Sequence, residues 1–130
     1  MNRTILLIED NEQNRYLATF LLEQNGYRVV SAVDGPAGIA MAQQLLPDQI
    51  LLDIQLPGMD GYAVARALRG VVALRETPII AVTSYAMVGD REKALGAGCN
   101  GYIEKPIDPD TFVSEIRRFE RPPAAIGGVP

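Results

Sequence analysis

The 130-residue sequence has no histidine and a single cysteine, Cys99. One cysteine cannot form a disulfide within the chain, and the absence of histidine excludes histidine-based catalytic triads and the usual zinc sites. A long basic run is also missing, and the formal net charge is −4 with a pI near 4.8. Direct binding to nucleic acid requires a cationic surface, so the sequence favours a protein partner or a small ligand. Any chemistry must therefore come from carboxylates, hydroxyls and amines.

No apolar run is long enough to cross a membrane. The first run, Ile5–Ile8, lies close to the amino terminus and is too short even for a signal peptide, so we expect a cytoplasmic protein without membrane insertion. The length and the 48% apolar content are typical of one globular domain. Residues 121–130 are rich in proline and glycine, which predicts a disordered C-terminal tail after a domain that covers residues 1–120.

Short apolar runs are what the sequence does contain. The segment Gln49–Asp53 is apolar without alternation and ends in a carboxylate, and such a run is typical of a strand covered on both faces. Five strand-like segments begin at about residues 4, 27, 49, 78 and 101, with helical patterns between them. This alternation predicts a doubly wound α/β fold, (βα)5, with a parallel sheet of order 2-1-3-4-5 and helices on both faces.

Capping residues mark the starts of several helices. Asn11 and Asp60 precede the first and third helical segments, and both residue types favour the N-cap position. In the first helix, Leu17, Phe20 and Leu21 fall on one face, which predicts a buried stripe.

The last helix has the most complete start signal. Asp108 is expected as its N-cap and Pro109 as its first helical residue, with Ile107 and Phe112 spaced as a hydrophobic staple. The fourth helix, predicted over residues 88–95, is less well marked because glycines lower its helix propensity.

Polar groups follow four of the five predicted strands. They are Glu9 and Asp10, Asp53, Thr83 with Ser84, and Lys105. The carboxyl ends of parallel strands meet at one edge of the sheet, where ligands bind in open α/β folds. Asp10 and Asp53 would lie on neighbouring strands, where two carboxylates repel each other unless a cation lies between them. Mg²⁺ is the expected cation, because it prefers oxygen ligands and keeps positions for water and phosphate.

The same edge holds the parts for phosphoryl transfer onto a carboxylate. Asp53 is the central carboxylate, Thr83 offers a hydroxyl for a phosphoryl oxygen, and Lys105 offers a compact positive charge. Phosphoryl transfer depends mainly on positioning and charge neutralisation, which these groups and a metal ion supply.

The residues at this edge resemble a known family, the response-regulator receiver domain of two-component signalling, which has a flavodoxin-like fold. The matching stretches are Ile8–Asn11, Leu52–Gly61, Ala81–Ser84 and Tyr102–Pro106, and the resemblance spans about residues 4 to 119. The residues of these motifs are most similar to those of cell-cycle regulators of the single-domain type and of receivers attached to hybrid kinases.

The resemblance implies that Asp53 accepts a phosphoryl group from a phosphohistidine of a sensor histidine kinase or a histidine phosphotransfer protein. It implies a Mg²⁺ site formed by Asp10, Asp53, the backbone carbonyl of Gln55 and, through water, Glu9. The protein would then be a phospho-acceptor in signalling that assists its own phosphorylation and dephosphorylation, and not an enzyme acting on a separate substrate.

The resemblance also implies how the signal leaves the site. Thr83 and Lys105 would sense the phosphoryl group, Tyr102 would rotate inward, and Lys105–Pro106 would be a cis peptide. Output would go to a downstream protein through the face built from the fourth helix, the fifth strand and the fifth helix.

Two other functions stay open at this point. An aspartyl-phosphate phosphatase of the haloacid-dehalogenase type also has an aspartate nucleophile at a strand end, but its general acid lies two positions on, where this sequence has Gln55. A receiver that serves as a scaffold without phosphorylation is the second.

The stretch Gly96–Gly101 fits the G-x-G-x-x-G pattern of dinucleotide sites, but it follows a predicted helix and opens a strand, the reverse of the required order.

Overall fold

The computed structural model describes residues 3–84 and 87–120, in which five strands alternate with five helices. The elements are β1 (Thr4–Ile8), α1 (Glu12–Gln24), β2 (Arg28–Ala32), α2 (Gly35–Leu45), β3 (Gln49–Asp53), α3 (Gly61–Arg69), a 3₁₀ turn (Val72–Leu74), β4 (Ile79–Thr83), α4 (Asp90–Gly96), β5 (Gly101–Glu104) and α5 (Phe112–Arg118). The tail predicted at 121–130 lies outside the described residues. In the two described ranges, no helix has the length and apolar character needed to cross a bilayer.

The strands form one parallel sheet of order β2-β1-β3-β4-β5, which confirms the predicted topology. β3 is the central strand, and all of its residues are buried. In the register, Ile8 at the end of β1 pairs with Leu52, and Asp53 pairs with Val82 near the end of β4. The carboxyl ends of these three neighbouring strands therefore meet at one edge.

Helices cover both faces of the sheet, as predicted. Successive strand residues point to opposite faces. Leu6 and Ile50 belong to a core cluster with residues of α2, α3 and α4, whereas Ile5 and Leu51 belong to a second cluster with residues of α1 and α5. Because each face of β3 is covered, its sequence shows no apolar and polar alternation.

Side-chain caps set the starts of three helices. The carboxamide of Asn11 and the carboxylates of Asp34 and Asp60 accept hydrogen bonds from the backbone N–H three residues later, at 2.9, 2.8 and 2.9 Å respectively. The predicted caps Asn11 and Asp60 are confirmed. The caps of α1 and α3 fix the helices that begin next to the carboxyl ends of β1 and β3.

The buried face of α1 differs from the predicted one. Phe20 is 45% exposed, and its ring stacks on the exposed ring of Tyr16 with 6.3 Å between the centroids. Ala18 and Leu22 are the fully buried residues of the helix, and Leu21 packs at the margin of the core. The prediction was wrong for Phe20 because α1 carries apolar residues on more than one side, and only contact with the sheet selects among them.

The start of α5 was also predicted wrongly. Pro109 was expected as the first helical residue, but the helix begins at Phe112. The Asp108 carboxylate accepts a hydrogen bond from Asp110 N at 2.9 Å, and the Asp108 carbonyl accepts from the N–H groups of Thr111 and Phe112. A separate turn therefore precedes the helix and contains Pro109. Aspartate closes such turns readily with its own side chain, and this local bond replaced the expected cap.

Two further boundaries move by one or two residues. β4 includes Thr83, one residue more than predicted. α4 begins at Asp90, directly after Gly89, whose φ of 91° is left-handed and incompatible with an earlier helical start.

Gly61 allows the loop after β3 to fold back on the strand. A Cβ atom at this position would lie 2.5 Å from Ile54 Cα and 2.7 Å from Asp53 O, both backbone atoms. We expect Gly61→Ala to lower the free energy of unfolding by about 1–3 kcal/mol, the usual cost of overpacking. Urea unfolding monitored by circular dichroism measures this change.

Gly96→Ala is the matched control, because nothing lies within 4 Å of a Cβ built at this helical residue. Its free energy of unfolding should change by less than about 1 kcal/mol, in the stabilising direction. Equal losses of the free energy of unfolding in the two variants would show that the close contact of Gly61 with the backbone of Asp53 and Ile54 is not the cause.

Candidate functional site

The predicted site residues come from four strand ends at one edge of the sheet. Glu9 and Asp10 follow β1, Asp53 ends β3, Thr83 ends β4, and Lys105 follows β5. Since β1 and β3 are neighbours, the two acidic segments lie side by side. One carboxylate oxygen from each of Glu9, Asp10 and Asp53 lies within 4.8 Å of the other two. The fold therefore gathers the acidic residues that the sequence analysis selected.

Lys105 makes the shortest charged contacts of the site. Its Nζ lies 2.8 Å from Glu9 Oε1 and 3.5 Å from Asp53 Oδ2, and all three side chains are largely buried. The backbone N–H of Lys105 donates to Thr83 O at 2.7 Å, and the bond to Pro106 is cis, as predicted. One ammonium group thus compensates two buried carboxylates.

Glu9 and Asp10 differ in their surroundings although they are adjacent. Glu9 is buried, and its Oε2 accepts a hydrogen bond from Asn11 N at 3.1 Å, whereas Asp10 is exposed at the mouth of the site. The guanidinium of Arg15 donates to the backbone carbonyls of Glu9 and Asp10, at 3.1 and 3.3 Å. The sequence did not predict these contacts of Arg15. The only feature of the sequence that points to Arg15 is its position four residues after the helix cap Asn11.

Asp53 is 3% exposed, and its two carboxylate oxygens have different partners. Oδ1 accepts a hydrogen bond from Gln55 N at 2.9 Å, and Oδ2 faces Lys105. Burial raises the pKa of Asp53 above its usual range, and the neighbouring Glu9 carboxylate adds to this effect. The Gln55 N–H and the Lys105 charge act in the opposite direction without cancelling the rise.

The Gln55 side chain makes contacts that the sequence did not reveal. Its Nε2 donates a hydrogen bond to Thr83 Oγ1, and its Oε1 accepts one from Ser84 N at 3.0 Å. Thr83 is buried, whereas Gln55 is exposed. The sequence did not predict these two hydrogen bonds, because a side chain 28 positions from its partner leaves no local pattern.

Tyr102 lies on β5, beside the site and not within it. Its ring packs against the core cluster on the α4 side of the sheet, and its hydroxyl is buried without a hydrogen-bond partner among the described residues. Burial raises the pKa of Tyr102, and the nearby Asp90 and Glu104 carboxylates contribute. The inward rotation of Tyr102 stays a prediction.

The polar groups line a small open cleft of about 240 Å³. Its lining residues are Glu9, Asp10, Asn11, Asn14, Asp53, Gln55, Ser84 and Lys105. Three converging carboxylates, without histidine or thiolate ligands, form the oxygen donor set that Mg²⁺ prefers. The donor chemistry of the cleft therefore fits the predicted metal ion.

The comparison with protein families bears on one of the two functions that the sequence left open, the phosphatase. A family model of the response regulator receiver domain matches residues 5–117. The chain belongs to the response regulator receiver family. A receiver is a signalling domain, so a phosphatase of the haloacid-dehalogenase type is no longer a candidate.

Individual relatives agree with this assignment. The polar-differentiation response regulator DivK of Brucella ovis is 39% identical over 119 residues, which cover 92% of this receiver and 97% of DivK. Among solved structures, the receiver domain of the sensor histidine kinase PA1611 from Pseudomonas aeruginosa, with a magnesium ion in its active site cleft, is 38% identical with a TM-score of 0.84. The match covers 92% of this receiver and 98% of the PA1611 domain.

A chemotaxis protein has the same fold. CheY4 of Vibrio cholerae is 27% identical, with a TM-score of 0.87 over 92% of this receiver and 99% of CheY4.

The G-x-G-x-x-G stretch, Gly96–Gly101, connects α4 to β5 in the structure, so it cannot present a phosphate to a helix N-terminus.

The raised pKa of Asp53 predicts a pH-dependent effect of Asp53→Asn. A carboxyl group whose pKa is higher in the folded state lowers the free energy of unfolding of the protein as the pH rises from about 4 through that folded pKa. At pH 7 in chelator, Asp53→Asn should therefore raise the free energy of unfolding by about 1 kcal/mol or more, since Lys105 still pairs with Glu9. Near pH 4 the gain should become smaller. Urea unfolding at both pH values measures the difference.

Asp60→Asn provides the control, because asparagine caps a helix as well as aspartate does. It should change stability little at either pH. A loss of stability in Asp53→Asn at pH 7 would contradict the assigned electrostatics.

Proposed function

We propose that this receiver accepts a phosphoryl group on Asp53 from a phosphohistidine of a sensor histidine kinase or a histidine phosphotransfer protein. The observation that carries the proposal is the surroundings of Asp53, a buried carboxylate at the bottom of an acidic cleft with Lys105 Nζ 3.5 Å from Oδ2. The combination of an acceptor carboxylate and a buried cation supports group transfer more than a purely structural role.

The transfer exchanges one bond to phosphorus for another. A carboxylate oxygen of Asp53 attacks the phosphorus atom, an O–P bond forms, and the P–N bond of the phosphohistidine breaks. The electron pair of that bond stays on the imidazole nitrogen, and the ring leaves neutral because its other nitrogen carries a proton. The Lys105 ammonium compensates charge on the phosphoryl oxygens, and the Thr83 hydroxyl donates a hydrogen bond to one of them.

The residues that would hold Mg²⁺ are Asp10, Asp53, the backbone carbonyl of Gln55 and, through water, Glu9. Their convergence in one cleft supports this set, as does the magnesium ion in the cleft of the PA1611 receiver domain. When bound, the ion supplies charge neutralisation between the carboxylates and the phosphoryl oxygens. Lys105 already pairs with Glu9, whereas Asp10 is exposed, so Asp10 would be the more accessible direct ligand of the ion.

Phosphorylation would act on a protein-binding surface through Thr83 and Tyr102. Tyr102 lines a groove of about 530 Å³ between α4, β5 and α5, which supports a link between this residue and output. Met87 and Val88 expose apolar side chains at the groove, and Glu115 lies on its α5 side. A downstream protein would bind the α4-β5-α5 face, and the two states of the switch would differ in affinity for it.

Intact-mass measurement with small phosphoryl donors tests the acceptor directly. After incubation with Mg²⁺ and acetyl phosphate or phosphoramidate, wild type should gain one phosphoryl group that hydroxylamine removes. Asp53→Asn and wild type in chelator should gain none, while Asp60→Asn should react like wild type. An unmodified wild type with both donors would contradict the proposal and favour the scaffold function.

Removal of the Asp10 carboxylate tests the metal site. Loss of a group that merely supports a metal ligand costs about 10- to 100-fold in affinity, so Asp10→Asn should weaken Mg²⁺ binding at least about tenfold. Isothermal titration of the phosphate-free protein measures the affinity. Asp60→Asn should retain wild-type affinity, and equal binding by Asp10→Asn would remove Asp10 from the ligand set.

A further inference from the structure

The Gln55 carboxamide binds two consecutive residues at the end of β4. Its Oε1 accepts from the Ser84 N–H at 3.0 Å, and its Nε2 donates to the Thr83 hydroxyl oxygen. The side chain of Gln55 is exposed, so no packing requirement explains its position. An exposed glutamine loses rotamer entropy when it is held in one place, and both ends of its amide group are needed for this contact.

Gln55, Ser84 and Asp53 line the same cleft as Lys105. A phosphoryl group on Asp53 would bring three acceptor oxygens into this cleft and would require N–H and O–H donors there. The Ser84 N–H already donates to Gln55 Oε1, and the Thr83 hydroxyl already accepts from Gln55 Nε2. The phosphoryl group and Gln55 Oε1 therefore compete for the Ser84 N–H, and the contact with Gln55 Nε2 holds the Thr83 hydroxyl in its resting place.

We propose that Gln55 is a positioning residue whose carboxamide holds Thr83 and Ser84 in the resting arrangement and is displaced when a phosphoryl group occupies the cleft. The inference rests on the proposed function, because it concerns the same acceptor site. It assigns to the side chain a role separate from that of the Gln55 backbone carbonyl toward Mg²⁺. The Ser84 N–H must leave Gln55 Oε1 before it can donate to a phosphoryl oxygen, and a Thr83 hydroxyl that moves toward the phosphoryl group leaves Gln55 Nε2 behind.

This competition sets the direction of a substitution effect. In Gln55→Ala the two amide contacts are absent, so binding of a phosphoryl mimic no longer requires their loss. The affinity for the mimic should rise by a factor of up to about ten, which corresponds to about 1.4 kcal/mol. A glutamine with only a structural role would give the opposite result, because its removal would loosen the segment that binds the mimic.

Beryllofluoride with Mg²⁺ is the probe, titrated into wild type, Gln55→Ala and Gln43→Ala while the amide resonances are followed by NMR. Gln43 is an exposed glutamine on α2, remote from the cleft, so its variant is the matched control. We expect tighter binding for Gln55→Ala and unchanged binding for Gln43→Ala. In wild type, saturation with beryllofluoride should move the Gln55 side-chain NH₂ resonances to the shifts of a free amide.

A second readout uses the protein without any mimic. The Ser84 amide should exchange with solvent several-fold faster in Gln55→Ala than in wild type and Gln43→Ala, because its acceptor is gone. Equal or weaker beryllofluoride binding by Gln55→Ala, or an unchanged Ser84 exchange rate, would overturn the role of Gln55 alone. A wild type that binds no beryllofluoride and gains no phosphoryl group would overturn the proposed function together with the displacement.

Discussion

The burial of two carboxylates around one lysine is the interaction on which the site depends. Glu9 and Asp53 are nearly inaccessible to water, and Lys105 Nζ contacts both of them. Each buried charge costs several kcal/mol unless opposite charge and hydrogen bonds compensate it, and the backbone N–H groups of Asn11 and Gln55 contribute to this compensation. Only a sheet in which β1 and β3 are neighbours, with β5 two strands from β3, brings these groups together.

The compensation is incomplete, and this imbalance gives the cleft its chemical character. Burial raises the pKa of Asp53, and the Glu9 carboxylate adds to the rise. Three carboxylates converge where one ammonium group is present, so the site favours an additional cation. A phosphoryl group would add negative charge at the same place and would compete for the Ser84 N–H, which Gln55 Oε1 occupies at rest while Gln55 Nε2 holds the Thr83 hydroxyl. Charge and hydrogen bonding thus couple the acceptor to the end of β4, from which α4 and β5 follow.

Much of the fold could be predicted because it depends on local signals. The bounds of β1, β3 and β5 agree with the structure, since each is a short apolar run that ends in polar residues. The predictions for Phe20 and for the start of α5 failed because several local solutions competed. In α1 the contact with the sheet selected Ala18 and Leu22, and before α5 the Asp108 side chain closed a turn instead of capping the helix.

The sequence by itself determined the alternation of strands and helices, and with it the edge at which Asp10, Asp53, Thr83 and Lys105 meet. These features follow from hydrophobic pattern and from the chirality of strand connections, which act along the chain. Only the tertiary structure decided that Lys105 pairs with Glu9 as well as Asp53, and that Gln55 binds Thr83 and Ser84. Long side chains reach partners far away in sequence, and their conformations depend on the charge and space that the completed fold leaves them.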